Sequence, residues 1–117
     1  MKIVDETENG SEVPLADGET LEVRLPESGG TGYQWSVVGL DSTVELLGDD
    51  FVLPELNQPG ARGTHRFTFV AHGSSGGRVM LELRRSWEQS ADPEDRFELR
   101  VRTAPAAASL FEDRADE

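Results

Sequence analysis

The chain has 117 residues, with 23 acidic and 11 basic side chains and a net charge of −12. Its length corresponds to one domain that can bury a core without cross-links, and the absence of cysteine excludes disulfides, zinc–thiolate sites and thiol nucleophiles. The acidic balance argues against a nucleic-acid partner, whose phosphates would be repelled. Its simplest interpretation is solubility, and steering toward a basic partner is the alternative.

Segments that target or anchor a protein in a membrane are not found in this sequence. Residues 1–6 lack the apolar run of a signal peptide, and no stretch of about 18 apolar residues is present. We therefore expect a cytoplasmic protein with no membrane partner, although a secreted chain whose signal had been removed would look the same.

Alternation of apolar and polar side chains between glycine and proline turns predicts a series of β-strands. In chain order, the predicted strands are residues 2–5, 19–25, 33–38, 44–53, 64–71, 79–84 and 97–102. Val13 and Leu15 form an edge segment in this interpretation, interrupted by Pro14. For residues 44–53 the sequence leaves three alternatives, which are two short strands around Gly48, one kinked strand, or a short helical turn.

About seven strands of period two predict an antiparallel β-sandwich. Trp35 is expected to be its central aromatic side chain, and the burial of one such ring contributes on the order of 3 kcal/mol. The predicted core consists of Leu21, Val23, Leu25, Trp35, Val37, Phe67, Phe69, Val79, Leu81, Leu83, Phe97, Leu99 and Val101.

The strand pattern stops at Thr103. We expect residues 1–103 to form the domain and residues 104–117 to form an acidic, flexible C-terminal tail. Docking of Leu110 and Phe111 onto the domain is the less favoured alternative.

Three informative connections are expected at one end of the sandwich, because alternate connections of such a chain lie at the same end. They are the connections at residues 26–32, 57–63 and 85–95. Pro26 is expected to end the strand before the first of them. They are called below the first loop, for its glycine-rich part 28–32, the second loop and the third loop. The short turn at 73–77 falls at the other end. Glycines in the first loop allow the main chain to approach another surface closely, and clustered loops on a rigid β scaffold are typical of binding sites.

The motifs in these loops resemble those of chagasin-type inhibitors of cysteine peptidases. They are a Thr-Gly-Tyr-x-Trp loop at Thr31–Trp35, a Gly-x-x-Gly-Thr-x-x-Phe passage at Gly60–Phe67, and an Arg-x-Trp loop at Arg85–Trp87. Each motif is weak by itself, but the three occur in the same order and span nearly the whole domain.

This resemblance implies an immunoglobulin-like fold whose three loops form a wedge in the active-site cleft of papain-like cysteine peptidases. Inhibition would be reversible and non-covalent, and the chain would be a monomer, not an enzyme, with no cofactor and no metal. The first loop would cover the catalytic thiol. The implied contact residues are Ser28, Gly29, Gly30, Thr31, Gly32, Gly60, Ala61, Arg62, Gly63, Arg85, Ser86 and Trp87.

Two loops depart from the family pattern, which has Asn-Pro-Thr-Thr-Gly in the first loop and Arg-Pro-Trp in the third. Here Ser28–Gly32 contains no proline, and Ser86 replaces the other proline. Because more ordering entropy is lost when a looser loop binds, we expect weaker inhibition than in a typical member, or a different target. Arg62 stands where the family tends to have glycine.

Two other interpretations compete with inhibition. The same loops could serve a module that binds another protein or a glycan, with Trp87 as its aromatic contact. An enzyme is disfavoured, because no Gly-x-Ser-x-Gly elbow accompanies the serines. Trp87 could also fold back onto Pro93 or the rim of the sandwich. His65 and His72 are expected on opposite faces of a strand, where they could not share a metal.

Overall fold

The computed structural model describes residues 1–28, 32–53, 62–73, 76–85, 87 and 92–104. Within these ranges the chain forms eight β-strands and a 3₁₀ turn at Glu6–Glu8. No helix in the described part is long and apolar enough to cross a membrane. The strands are β1 (Lys2–Asp5), β2 (Glu12–Ala16), β3 (Thr20–Glu27), β4 (Tyr33–Leu40), β5 (Val44–Val52), β6 (Gly63–Ala71), β7 (Gly77–Arg85) and β8 (Asp95–Ala104).

The strands form two four-stranded sheets, with the orders β1-β3-β6-β5 and β2-β8-β7-β4. Pairing is antiparallel within each sheet except at the N-terminal strands, where β1 runs parallel to β3 and β2 runs parallel to β8. The predicted β-sandwich is confirmed, with eight strands in place of about seven. The chain changes sheets at the 3₁₀ turn, where the Thr7 backbone N–H donates to the Asp5 carboxylate at 2.9 Å.

Two prolines that were expected to interrupt or end strands lie inside them. Pro14 is within β2 and Pro26 is within β3. β2 is an edge strand, and β1 pairs only with Leu21–Arg24 of β3, so each proline has a neighbouring strand on one side only. A residue without an N–H is tolerated at such a position because no ladder hydrogen bond is lost there.

The ambiguous segment 44–53 is one strand, β5, with an irregularity in its pairing between Leu46 and Gly48. Asp49 and Asp50 lie within this strand. β5 is the edge of its sheet, and an edge strand accommodates bulges and charged side chains because one side faces solvent.

The last strand, β8, continues to Ala104, past the expected end of the pattern at Thr103. Residues 105–117, which make up nearly all of the predicted tail, lie outside the described residues.

The core lies between the two sheets, and most of it follows the predicted inward rows. Trp35 is buried as expected, with 4% of its surface exposed, whereas Val37 and Leu83 are only half-buried against the core. The N-terminal strands and β5 add side chains that the predicted core lacks. The buried apolar residues are Val4, Val13, Leu15, Leu21, Val23, Leu25, Trp35, Val44, Phe67, Phe69, Ala71, Val79, Leu81, Phe97, Leu99 and Val101.

Candidate functional site

In the first sheet, the strand registers place the ends of the first and second loops side by side. Glu27 at the end of β3 pairs with Gly63 at the start of β6, and Val52 at the end of β5 pairs with Thr64. The first loop therefore leaves the sheet next to the point where the second loop returns to it.

In the second sheet, the same end of the sandwich carries the ends of the first and third loops. Tyr33 at the start of β4 pairs with Arg85 at the end of β7, and Leu83 pairs with Asp95 at the start of β8. Since the first loop connects the two sheets, the described ends of all three loops lie at one end of the molecule.

Half of the predicted contact residues can be placed in this arrangement. Their contact with a peptidase stays a prediction. The described ones are Ser28, Gly32, Arg62, Gly63, Arg85 and Trp87, and those outside the described residues are Gly29, Gly30, Thr31, Gly60, Ala61 and Ser86.

Trp35 closes the root of the first loop. Its backbone N–H donates to Glu27 Oε1 at 2.7 Å, and its indole N–H donates to the Pro26 carbonyl oxygen at 2.9 Å. Pro26 and Glu27 precede the loop and Trp35 follows it, so these two hydrogen bonds join the two strands that carry it. A hydrogen bond to an ionised carboxylate is stronger than a neutral one, and Glu27 is buried, with 6% of its surface exposed.

Gly32 at the end of the first loop lies directly against Trp87 of the third loop. Its φ of +82° is in the left-handed region that favours glycine. A Cβ atom at this position would lie 2.6 Å from Cη2 of Trp87. The backbone conformation favours glycine here, and any larger residue would have to displace the indole. The contact joins the first loop to the third.

We expect Gly32→Ala to displace the Trp87 indole and destabilise the fold. Alanine at positive φ costs roughly 1–2 kcal/mol, and its Cβ would overlap the ring. Gly18→Ala is a matched control, because Gly18 has a φ of +84° and a Cβ atom there would meet nothing within 4 Å. Denaturant unfolding and the NMR resonance of the Trp87 indole N–H measure the two effects. Equal unfolding free energies for the two variants, with the Trp87 resonance unmoved, would contradict this contact.

Arg85 lies between two aromatic rings at the same end. Its guanidinium carbon is 4.4 Å from the centroid of the Tyr33 ring and 5.7 Å from that of Trp87. Such cation–π contacts contribute about 0.5–1 kcal/mol at exposed sites. Trp87 keeps 68% of its surface exposed. It lies against Gly32 at the end of the first loop and near Arg85 at the end of β7.

One cavity at this end is lined by residues of all three loops. Ser28 comes from the first loop, Arg62 from the second and Glu94 from the third, and Tyr33 completes the wall between them. Arg62 is exposed. Described residues of all three loops therefore line one cavity.

Gly63 has a structural role at the root of the second loop. It is buried as the first residue of β6, and a Cβ atom there would overlap the Phe51 ring and lie 2.7 Å from the Val52 carbonyl oxygen. The close packing of β5 against β6 accounts for glycine at this position.

A polar trio that was not predicted from the sequence lies near the ends of the first and second loops, formed by Glu27, His65 and Asp49. His65 Nδ1 lies 2.9 Å from Glu27 Oε1, and His65 Nε2 lies 2.6 Å from Asp49 Oδ2. The sequence does indicate the position of two of these side chains. His65 is in line with Phe67 and Phe69 on the inward face of β6, and Glu27 is in line with the inward side chains of β3. Among the described residues, no group of three or more His, Cys, Asp or Glu side chains could hold a metal ion.

Comparison with known proteins identifies the same family as the loop motifs. Residues 15–101 match the model of the chagasin family of peptidase inhibitors, I42. Amoebiasin-1 of Entamoeba histolytica is 30% identical over 90 residues, covering 74% of this chain and 85% of the relative. Chagasin of Trypanosoma cruzi is 25% identical over 99 residues, covering 80% of this chain and 90% of the relative.

Solved structures show the same fold. The cysteine protease inhibitor EhICP2 from Entamoeba histolytica aligns with a TM-score of 0.78 at 16% identity, covering 87% of this chain and 94% of that one. The solution structure of Amebosin aligns with a TM-score of 0.69 at 22% identity, covering 88% and 98%. The expected immunoglobulin-like sandwich is confirmed.

Proposed function

Because this chain belongs to the chagasin family of peptidase inhibitors, we propose that it is a reversible, non-covalent inhibitor of papain-like cysteine peptidases. In this proposal the three loops at one end of the sandwich form a wedge that fills the active-site cleft. The chain then acts as an inhibitor and not as an enzyme.

The observation that carries this proposal is the meeting of the three loops. Gly32 of the first loop packs under Trp87 of the third, and a cavity is shared by Ser28, Arg62 and Glu94, one residue from each loop. The described ends of these loops are anchored on two hydrogen-bonded sheets, and such anchoring lowers the ordering cost of association.

The chemistry of the loops fits a blocker that does not react. The chain has no cysteine, so it offers the peptidase no thiol for disulfide exchange. In this account the glycine-rich first loop lays its main chain over the catalytic thiol, and Trp87 supplies the aromatic anchor. Tryptophan is enriched among the interface residues that contribute most binding energy.

The missing prolines are partly offset by contacts at the loop roots. Trp35 joins both ends of the first loop through hydrogen bonds to Glu27 and Pro26. The Arg85 guanidinium makes cation–π contacts with the Tyr33 and Trp87 rings. Glycines in place of proline still enlarge the set of conformations that binding must restrict. We therefore propose weaker inhibition than that of members whose loops contain both prolines.

Binding to three forms of papain tests this mode of action. The chain is titrated against active papain, papain whose thiol carries a small alkyl group, and papain whose cleft is filled by a covalently attached peptide inhibitor. The proposal predicts binding to the first two forms and none to the third, and the chain is recovered uncut. Equal binding to all three forms would indicate contact outside the cleft and would overturn the wedge. It would favour a module that recognises another surface.

A further inference from the structure

Near the loop end of the first sheet, polar side chains on three adjacent strands share one face. On β6, His65 follows Phe67, and its direct partner on β3 is Leu25. Glu27 and Asp49 lie diagonally across from His65 on the two neighbouring strands. Diagonal neighbours on one face of a sheet are within reach of long side chains, so His65 lies between two carboxylates.

Both ring nitrogens of His65 face a carboxylate oxygen, at 2.9 Å for Glu27 and 2.6 Å for Asp49. A carboxylate only accepts hydrogen bonds, and a neutral imidazole has a single N–H to donate. Both contacts can therefore be hydrogen bonds only when the ring is protonated on both nitrogens. Loss of either proton sets a nitrogen lone pair against a carboxylate and breaks one of the two links.

Packing fixes the orientation of this ring. The side chain of His65 is 13% exposed. It stacks on Phe67 with ring centroids 4.2 Å apart and an interplanar angle of 16°. The Phe51 ring is nearly perpendicular to it, at 87°, with ring centroids 6.4 Å apart. Since the ring is held by its neighbours, it has little freedom to turn away when a proton is lost.

The two carboxylates belong to the roots of different loops. Glu27 is the last residue of β3 and holds the backbone N–H of Trp35 across the first loop. Asp49 is on β5, the strand that leads into the second loop. A ring that binds both side chains ties the root of the first loop to the strand that carries the second.

We propose that His65, protonated on both ring nitrogens, is a positioning residue that bridges Glu27 and Asp49 and so holds the first and second loops in register, with the bridge breaking as pH rises. The inference rests on the proposed function only where it concerns inhibition. The bridge itself is a property of the free protein.

The other charged side chains described near His65 take part in separate contacts. Arg66, the next residue on β6, points to the opposite face and pairs with Asp50 of β5. Arg62, Tyr33 and Glu94 line a cavity beside Glu27. Among the described residues, Glu27 of β3 and Asp49 of β5 are the ionisable side chains in direct contact with His65.

The surroundings of His65 also favour the doubly protonated ring. Burial of the ring acts to lower its pKa, but the hydrogen bonds to Glu27 and Asp49 and the charges of these carboxylates outweigh burial and raise the pKa above its ordinary value. The folded state then binds the proton more tightly than the unfolded state. The resulting stabilisation is fully present below the unfolded pKa of about 6.5 and is lost as pH rises through the folded pKa.

An NMR titration of His65 tests the bridge in the free protein. The reference is the histidine midpoint of the same chain unfolded in urea, which is expected near the ordinary value of about 6.5. We expect His65 in the folded chain to keep its proton to higher pH than this reference. Asp49→Asn should shift the His65 midpoint downward, whereas the control Asp50→Asn, on the opposite face, should shift it much less. A His65 midpoint at or below the unfolded reference, or one that Asp49→Asn leaves unmoved, would overturn the proposal.

The inhibition constant tests the consequence for binding. Wild-type chain and the His65→Gln variant are compared against one peptidase across the pH range, so that the pH dependence of the peptidase itself cancels in their ratio. We expect about tenfold weaker inhibition by the variant at acidic pH, the equivalent of one charge-assisted hydrogen bond, with the ratio falling toward one above the His65 midpoint. His72→Gln should give a ratio near one throughout.

A ratio for His65→Gln that does not change with pH would contradict the positioning role. If the wild-type chain inhibits no peptidase at any pH, the proposed function fails, and the NMR titration decides the bridge by itself. If His65→Gln does not fold, Asp49→Asn takes its place in the inhibition comparison with the same expected pH dependence.

Discussion

Trp87→Ala is expected to weaken inhibition of a papain-like peptidase about 30-fold or more, because a tryptophan anchor at an interface contributes about 2 kcal/mol or more. The indole is 68% exposed in the free protein, so truncation leaves no buried cavity. We expect the free energy of unfolding to fall by no more than about 1 kcal/mol, the value of the lost cation–π contact with Arg85. The inhibition constant and denaturant unfolding together separate these two effects.

The control for this variant is Leu47→Ala. Leu47 is an apolar side chain on β5, 54% exposed, and it lies away from the three loops. We expect its truncation to leave the inhibition constant unchanged. Trp87→Ala with wild-type affinity, or with an effect equal to that of Leu47→Ala, would mean that the third loop is not part of the binding surface.

Trp35→Ala is expected to destabilise the domain by roughly 3–5 kcal/mol, which is the usual cost of removing a large buried aromatic side chain. The ring is 4% exposed and belongs to the core. Its removal also deletes the indole N–H that donates to the Pro26 carbonyl oxygen at 2.9 Å. Since small domains are stable by only about 5–15 kcal/mol, this variant should be largely unfolded or close to it under mild denaturation.

Trp35→Phe separates burial from hydrogen bonding in this effect. Phenylalanine keeps most of the apolar surface and the backbone N–H to Glu27, but it cannot donate to Pro26. We expect a smaller loss of stability than for Trp35→Ala, with the lost hydrogen bond contributing about 1 kcal/mol. Chemical denaturation of both variants measures the difference. A fully stable Trp35→Ala variant would contradict the placement of this ring in the core.

The strands that could be predicted are those with a buried face and a solvent face. β6 is the clearest case, because Phe67, Phe69 and Ala71 are buried and alternate with half-buried side chains. The parallel pairing of β1 with β3 could not be predicted, since it depends on contacts between distant segments. Pro26 misled for the same reason, because a proline is tolerated in a strand only where a neighbouring strand is absent.

Individual residues of the candidate site could be predicted from the sequence, but the contacts between them could not. Gly32 and Trp87 each stood out in the sequence, yet nothing local indicates that one packs against the other. Glu27, His65 and Asp49 were missed as a group because their side chains meet only through the register of three strands. A charged side chain in line with an apolar row, as Glu27 is with Leu25 on β3, is the sequence signal that indicates such a group.

Inhibition of a papain-like peptidase is measured in a steady-state assay. The purified chain is titrated into papain, and into a cathepsin-like peptidase, with a small fluorogenic substrate. We expect reversible inhibition at nanomolar to low micromolar concentration, competitive with substrate, and recovery of intact chain afterwards. No inhibition at any concentration, or steady cleavage of the chain within residues 28–32, would contradict the proposed function.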